Sequence, residues 1–210
     1  MRRLASLLVA ASVLTAGPAL AQQAASRAPP VKAAKDPAAA PKGVYILDPS
    51  QASVLLRVAH GGGFSFTVLR MGDVSGALSW DPANLAAARV NIKVAASSLQ
   101  TNVPGFADQL TGPDFLNAAK FPDAVFRSNA ARRTGPTTGE ISGNFTLHGV
   151  TMPLTLSVEL IGAGPALRGS ALGFRARGAF HRSDFGVGPI SPVIGDDVEV
   201  DIDVEFVKTQ

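Results

Sequence analysis

Between Val198 and Phe206 the chain alternates without a slip. Val198, Val200, Ile202, Val204 and Phe206 are apolar, and Glu199, Asp201, Asp203 and Glu205 between them are acidic. A period of two dictates an extended strand with one dry face and one wet face, and it is incompatible with the three-to-four-residue spacing of a helical stripe. The pattern recurs upstream. Leu154, Leu156, Val158 and Leu160 alternate with Thr155, Ser157 and Glu159; Phe174, Ala176, Gly178 and Phe180 alternate with Arg175, Arg177, Ala179 and His181; and Val90, Ile92 and Val94 alternate with Arg89, Asn91 and Lys93. Half-buried strands of this kind belong to antiparallel sheets; parallel sheets are buried on both faces and read as solid apolar runs.

Strands are expected over 44–47, 54–59, 64–68, 75–80, 88–95, 124–130, 140–148, 154–161, 171–180 and 198–208. The breaks between them are turn chemistry: Asp48-Pro49, Gly61-Gly62-Gly63, Asp81-Pro82, Thr134-Gly135-Pro136 and Gly162-Ala163-Gly164-Pro165. Only 104–120 does not alternate, and it reads as short helical turns with Thr111 or Asp114 near a helix start. Many short antiparallel strands imply a sandwich or a closed barrel. The barrel is favoured by a long hairpin between 174–180 and 198–206, in which Arg175 and Arg177 face the acidic row.

The chain begins with targeting features. Arg2 and Arg3 precede an apolar stretch from Leu4 to Thr15; Gly17 and Pro18 break it, and Ala19-Leu20-Ala21 offers small residues at a cleavage site. The stretch falls short of the roughly 20 residues that span a bilayer, so residues 1–21 are expected to be a signal peptide that sends the protein to the periplasm. Residues 22–42, rich in Ala and Pro, are expected to be a disordered linker, and residues 43–210 the folded domain. With no cysteine in the chain, a disulfide scaffold and a thiolate nucleophile are both excluded. Residues 43–210 carry 13 basic and 15 acidic side chains, a net of −2, so the positive balance of the whole chain comes from its first 42 residues. A nucleic-acid role therefore has no electrostatic footprint on the domain.

Chemistry-bearing motifs are few. His60, His148 and His181 each close a strand without companions at metal-ligand spacing. The carboxylates of the acidic row lie in a line and do not converge on one ion. No G-x-S-x-G elbow or phosphate loop is present. The residues point to binding, not catalysis, with no cofactor and no metal.

Several stretches taken together carry a resemblance. They are Tyr45-Ile46-Leu47-Asp48, His60, Gly72 to Gly76, Ser98-Leu99-Gln100-Thr101, Asp108-Gln109-Leu110, Pro113-Asp114-Phe115-Leu116, Lys120 to Ser128, Gly143 to Leu156, Arg182 to Val187 and Gly195-Asp196-Asp197-Val198. Over 43–208 the chain resembles the YceI-like family of bacterial periplasmic polyisoprenoid binders. The resemblance implies an all-β, extended lipocalin-like, eight-stranded antiparallel barrel with a short helical insertion, whose tunnel holds a polyprenyl phosphate, a quinone or another long-chain amphiphile. It departs from the family where Asp-x-His-Leu is replaced by the shorter Asp108-Gln109-Leu110, and where glycines follow His60.

In such a barrel the tunnel-wall candidates are Phe64, Phe66, Leu69, Met71, Phe106 and Leu110, together with Phe115, Phe126, Phe145, Phe174, Phe180 and Phe206. Arg70, Asp108 and Arg182 are the rim candidates for a polar head group. The alternative reading is an interaction module that docks on a membrane redox or envelope complex, which calls for an apolar patch outside the barrel. Transient membrane contact and a homodimer are compatible with either.

Overall fold

The computed structural model describes residues 32–167, 169–188 and 193–208. The expected signal peptide and the first part of the expected linker lie outside the described residues. Strands β1 (Gly43–Leu47) and β2 (Ser53–His60) are separated by a single 3-10 turn at Pro49–Gln51. Asp48 caps that turn by accepting from the Ser50 amide at 2.9 Å. Strands β3 (Ser65–Met71) and β4 (Val74–Trp80) return alongside them, pairing Val54 with Met71 and Ile46 with Ala77. β5 (Arg89–Ala95) and β6 (Leu99–Gln100) follow, then α1 (Phe106–Thr111), β7 (Asp123–Arg133), β8 (Thr138–Leu147), β9 (Val150–Ala166), β10 (Gly169–His181) and β11 (Ile194–Lys208).

The pairs β1/β2, β3/β4 and β5/β6 each act as one interrupted stave. Every stave is antiparallel to its sequence neighbours, and β11 closes on β1 through Leu47 opposite Phe206. The result is an eight-stave, up-and-down barrel with a short helical insertion. Closure matters because an open sheet of this length would present unpaired backbone donors and acceptors to other chains. The expected charge ladder is present on the outer face: Arg175 lies opposite Asp203 at 3.0 Å, and Arg177 opposite Asp201 at 3.1 Å.

Three expectations need correction. The stretch 162–165 is no turn: it lies within β9, where Ala163 pairs with Leu172. Glycines and a proline break a strand only where the ladder stops, and here β9 continues against β10 through Gly162 to Pro165. Thr111 ends a helix and does not begin one. Most of all, 33–42 is not a free linker. Ala34 bridges Ala163, Lys35 reaches Glu159 at 3.2 Å, and Ala40 is fully buried. Tyr45, also fully buried, donates its hydroxyl to the Pro41 carbonyl at 2.7 Å, and burial pushes its phenol pKa up. Small residues that lack a periodic face can still fill a groove whose shape another part of the chain supplies.

Bulges curve the wall. Register shifts between Ser128 and Ala130 on β7, opposite Gly143 and Ser142 on β8, and such an extra residue bends and twists its strand. Gly143 permits this close approach. A Cβ there would strike the Arg127 carbonyl oxygen and come within 2.6 Å of Ser128 Cα. Gly143→Ala should therefore cost about 1–3 kcal/mol, the usual penalty for overpacking a site that cannot yield. Urea unfolding checks this, with an unchanged slope and a lower midpoint as the expected result.

Candidate functional site

Inward-facing residues do not fill the barrel. A cavity of about 360 Å³ remains, within the size range of small-molecule sites. Its two ends can be defined by strand direction: β4, β7, β9 and β11 all finish at the upper end, while α1 and the segment after β10 close the lower end. The wall includes Pro37, Trp80 and Leu85 from above and Phe106, Leu110 and Val187 from below. A tunnel thus runs through the barrel between the two ends.

Ten of the twelve wall candidates line this tunnel. Leu69 and Met71 come from β3, Phe126 from β7 and Phe145 from β8. Phe174 and Phe180 come from β10 and Phe206 from β11; Phe106 and Leu110 on α1, with Phe115 just after it, complete the set. The aromatic rings meet edge-on, apart from the tilted Phe145–Phe180 pair. Phe174 meets Trp80 at 5.8 Å and Phe206 at 6.3 Å above, and Phe145, Phe180 and Phe185 form a triangle with sides of 5.2 to 5.4 Å below. Such T-shaped contacts fix ring positions beyond what area burial alone achieves.

Phe64 and Phe66 are the exceptions. Phe64 is 97% exposed at the β2–β3 turn, and Phe66 is 46% exposed with the Arg57 guanidinium 4.3 Å above its ring. The inward set of β3 is Thr67, Leu69 and Met71. Residues 64 and 66 have the opposite parity, so they could never share a face with 69 and 71 on an unbulged strand. The apolar residues Phe64, Phe66 and Val68 instead make an exposed outer row.

The rim candidates divide. Arg70 has outward parity on β3 and is exposed, and Asp108 is exposed on α1; neither belongs to the wall. Arg182 does line the lower end and is buried, but its guanidinium donates to the carbonyls of Val187 at 2.9 Å, Gly195 at 3.0 Å and Ile194 at 3.3 Å. It ties together the segment that closes the barrel. Beside it, the Ser183 hydroxyl donates to Asp196 at 2.6 Å and holds that carboxyl below the ordinary aspartate range, with partial burial opposing. His148, at the β8–β9 turn, lies 3.1 Å from the Phe185 carbonyl and packs edge-on against Phe121, a structural role.

Sequence reasoning missed the upper mouth. Among the described residues the charged members of the wall are Arg182 below and Arg132, Arg133 and Glu140 above. Arg132 pairs with Glu140 at 2.7 Å, and Arg133 donates to the Gly135 and Pro136 carbonyls of its own turn at 2.8 and 3.0 Å. Trp80 was also missed. It is 6% exposed, and its Nε1 is a buried donor without a partner.

Comparison with known proteins agrees with this architecture. A profile of the YceI-like domain matches residues 45–206. A UPF0312 protein of Shewanella sp. strain ANA-3 is 37% identical over 179 residues, which cover 82% of this chain and 91% of that one. The crystal structure of Burkholderia cenocepacia BcnA superposes with a TM-score of 0.67 at 21% identity, covering 76% of this chain and 98% of the other. A polyisoprenoid-binding domain from Saccharophagus degradans superposes with a TM-score of 0.59 at 13% identity, covering 79% and 98%.

Proposed function

Because this chain belongs to the YceI-like family, we propose that it is an exported carrier that holds a long-chain isoprenoid-type amphiphile in the tunnel of its barrel. The observation that carries this reading is the tunnel itself, an apolar wall running from Trp80 to Leu110 whose charged members, among the described residues, lie at the two ends. Such a wall rewards hydrocarbon. At about 0.8 kcal/mol per buried methylene, a five-carbon isoprene unit contributes roughly 4 kcal/mol, and ordering of the chain offsets part of that. Affinity then comes from the tail with little selectivity, and polar groups at an end choose the head. The Saccharophagus degradans domain, described as polyisoprenoid-binding, supports the same ligand class. A wall of side-chain hydrocarbon suits binding and not bond-breaking, and the leader-like residues 1–21 support a periplasmic site of action.

A second reading has an observation of its own. The outer face of β3 bears Phe66 and Val68, with Phe64 in the turn just before it, and β1 bears Val44 and Ile46, at 46 to 97% exposure. Apolar residues placed this way suit docking on another protein.

Native mass spectrometry of the protein expressed with its own leader, followed by solvent extraction, separates the two. The expected result is a bound species of defined mass that solvent releases. A clean apo mass that stays unchanged after incubation with a quinone, a polyprenyl phosphate and a fatty amide would remove the carrier and leave the docking module.

A further inference from the structure

We propose that residues 33–41 form a strap that shuts the upper end of the tunnel and lifts at its amino-terminal half to admit the amphiphile. This rests on the carrier reading and goes beyond it by naming the entrance and the segment that gates it. The strap precedes residues 45–206, which match the family profile, and the profile does not account for it.

Its attachments place it across the mouth. Ala34 forms a bridge with Ala163 of β9, and Lys35 reaches Glu159 of the same strand at 3.2 Å. Farther along, Lys42 pairs at 2.7 Å with Asp81, just beyond the upper end of β4. In the closed barrel β10, β11 and β1 separate β9 from β4 on one side, and β8, β7 and β5 separate them on the other. A segment that joins these two staves therefore crosses the opening along a diameter. Burial follows that path. Residues 32–36 and Ala38 are exposed, whereas Pro37 and Ala39 are half-buried and Pro37 belongs to the tunnel wall. Asp36 shapes the crossing, since its carboxylate accepts from the Ala38 amide at 2.9 Å and caps the 3-10 turn Pro37–Ala39.

The two halves of the strap are held unequally. At the root, Ala40 is fully buried, the Tyr45 hydroxyl donates to the Pro41 carbonyl at 2.7 Å, and Lys208 donates to the Lys42 carbonyl at 2.8 Å. At the tip, one isolated bridge supplies two backbone bonds of 2.8 Å. The Lys35–Glu159 pair beside it lies on the surface, where an ion pair contributes little. Segments with few buried apolar contacts and exposed backbone bonds open first, so the tip leaves β9 while the root stays docked. Gly162 makes the seat for the tip: a Cβ there would come within 2.6 Å of the Ala33 Cβ. The lower end is stitched more firmly, for the buried Arg182 guanidinium gathers the carbonyls of Val187, Gly195 and Ile194 into its closure.

The test locks the strap. Ala34 and Ala163 exchange both backbone bonds of an antiparallel pair, a geometry with Cα atoms about 5.5 Å apart that a disulfide spans. The chain has no cysteine of its own. Trp80, the only tryptophan, lies in the tunnel wall and registers occupancy through quenching by a short-chain ubiquinone. In the Ala34→Cys/Ala163→Cys protein, oxidation should slow both loading and release of the quinone by about tenfold or more and leave their ratio in place, because a gate that does not discriminate between empty and loaded states shifts no equilibrium. Reduction should restore both rates. Deletion of residues 33–38, which keeps the buried root, should speed both without any disulfide. Equal rates in the oxidised and reduced protein, with the disulfide confirmed by mass, would place the entrance elsewhere. So would unchanged rates in a deletion variant that retains its strand signal. A deletion that alters affinity and not the rates would make the strap a piece of wall and no gate. Failure of the wild-type protein to bind the quinone would overturn the carrier reading and the strap with it, an outcome distinct from a carrier whose rates ignore the strap.

Discussion

Phe180→Asp should leave no cooperatively folded barrel at neutral pH. Phe180 belongs to the lower aromatic triangle, with ring centroids 5.2 Å from Phe145 and 5.4 Å from Phe185. Phe180 is partly buried and borders the tunnel, so loss of the ring costs less than the about 3–5 kcal/mol of a fully packed interior, and an unpaired carboxylate among phenyl rings adds several more. Against a total stability of about 5–15 kcal/mol for a domain, the sum removes most or all of it. The penalty has a pH signature. An apolar site raises the carboxyl pKa above its unfolded value of about 3.9, so the charge-related loss is complete above the raised value and vanishes below about 3.9. Circular dichroism should show partial recovery of strand signal on acidification, while Phe180→Leu remains folded at pH 7. A Phe180→Asp barrel as stable as the parent would mean that β10 presents the other face to the tunnel.

How far the sequence could be read depended on whether a position was decided by its own strand or by its neighbours. Alternation from Val198 to Phe206 and from Phe174 to Phe180 named the inward residues of β10 and β11, and with them the Arg175 and Arg177 ladder, because period two leaves one choice of face once a core exists. The same logic applied within β3 would have excluded Phe64 and Phe66, since Leu69 and Met71 occupy the opposite parity; a preference for aromatic residues inside outweighed the spacing. Leu56 and Ile92 in the wall were visible as alternating residues but lacked the aromatic bulk that drew attention. The packed segment around Ala40 was not legible, because its contacts depend on the groove made by β1 and β9, far off in sequence. Arg133 was hidden beside the Thr134-Gly135-Pro136 turn, where an arginine reads as ordinary surface. Only closure of the barrel puts that turn and Trp80 at one mouth. The orphaned indole donor has no sequence signal at all, since satisfaction of a hydrogen bond is a property of the assembled interior.

Ala176→Phe should abolish uptake of a long-chain lipid while leaving the barrel folded. Ala176 sits midway along β10, opposite Val158 on β9 and Ile202 on β11, and packs with Phe126 and Leu156 where the tunnel passes between its upper and lower aromatic groups. A phenyl ring there grows into the empty space. The cost of crowding is about 1–3 kcal/mol, which a domain of ordinary stability survives. The cost to the ligand is larger. If the ring displaces only four methylenes, at about 0.8 kcal/mol each, binding falls by more than about a hundredfold. A lipid that must thread past the blocked waist loses much more. Ala179→Phe is the matched control: it adds the same ring on the same strand, at an exposed position of outward parity beside Glu199, and should retain the lipid. Comparison of the three proteins by native mass spectrometry and urea unfolding gives the answer. A folded Ala176→Phe protein that carries the same lipid mass at parental affinity would place the ligand outside the tunnel, and the outer row of Phe64, Phe66 and Val68 would then be where to look for it.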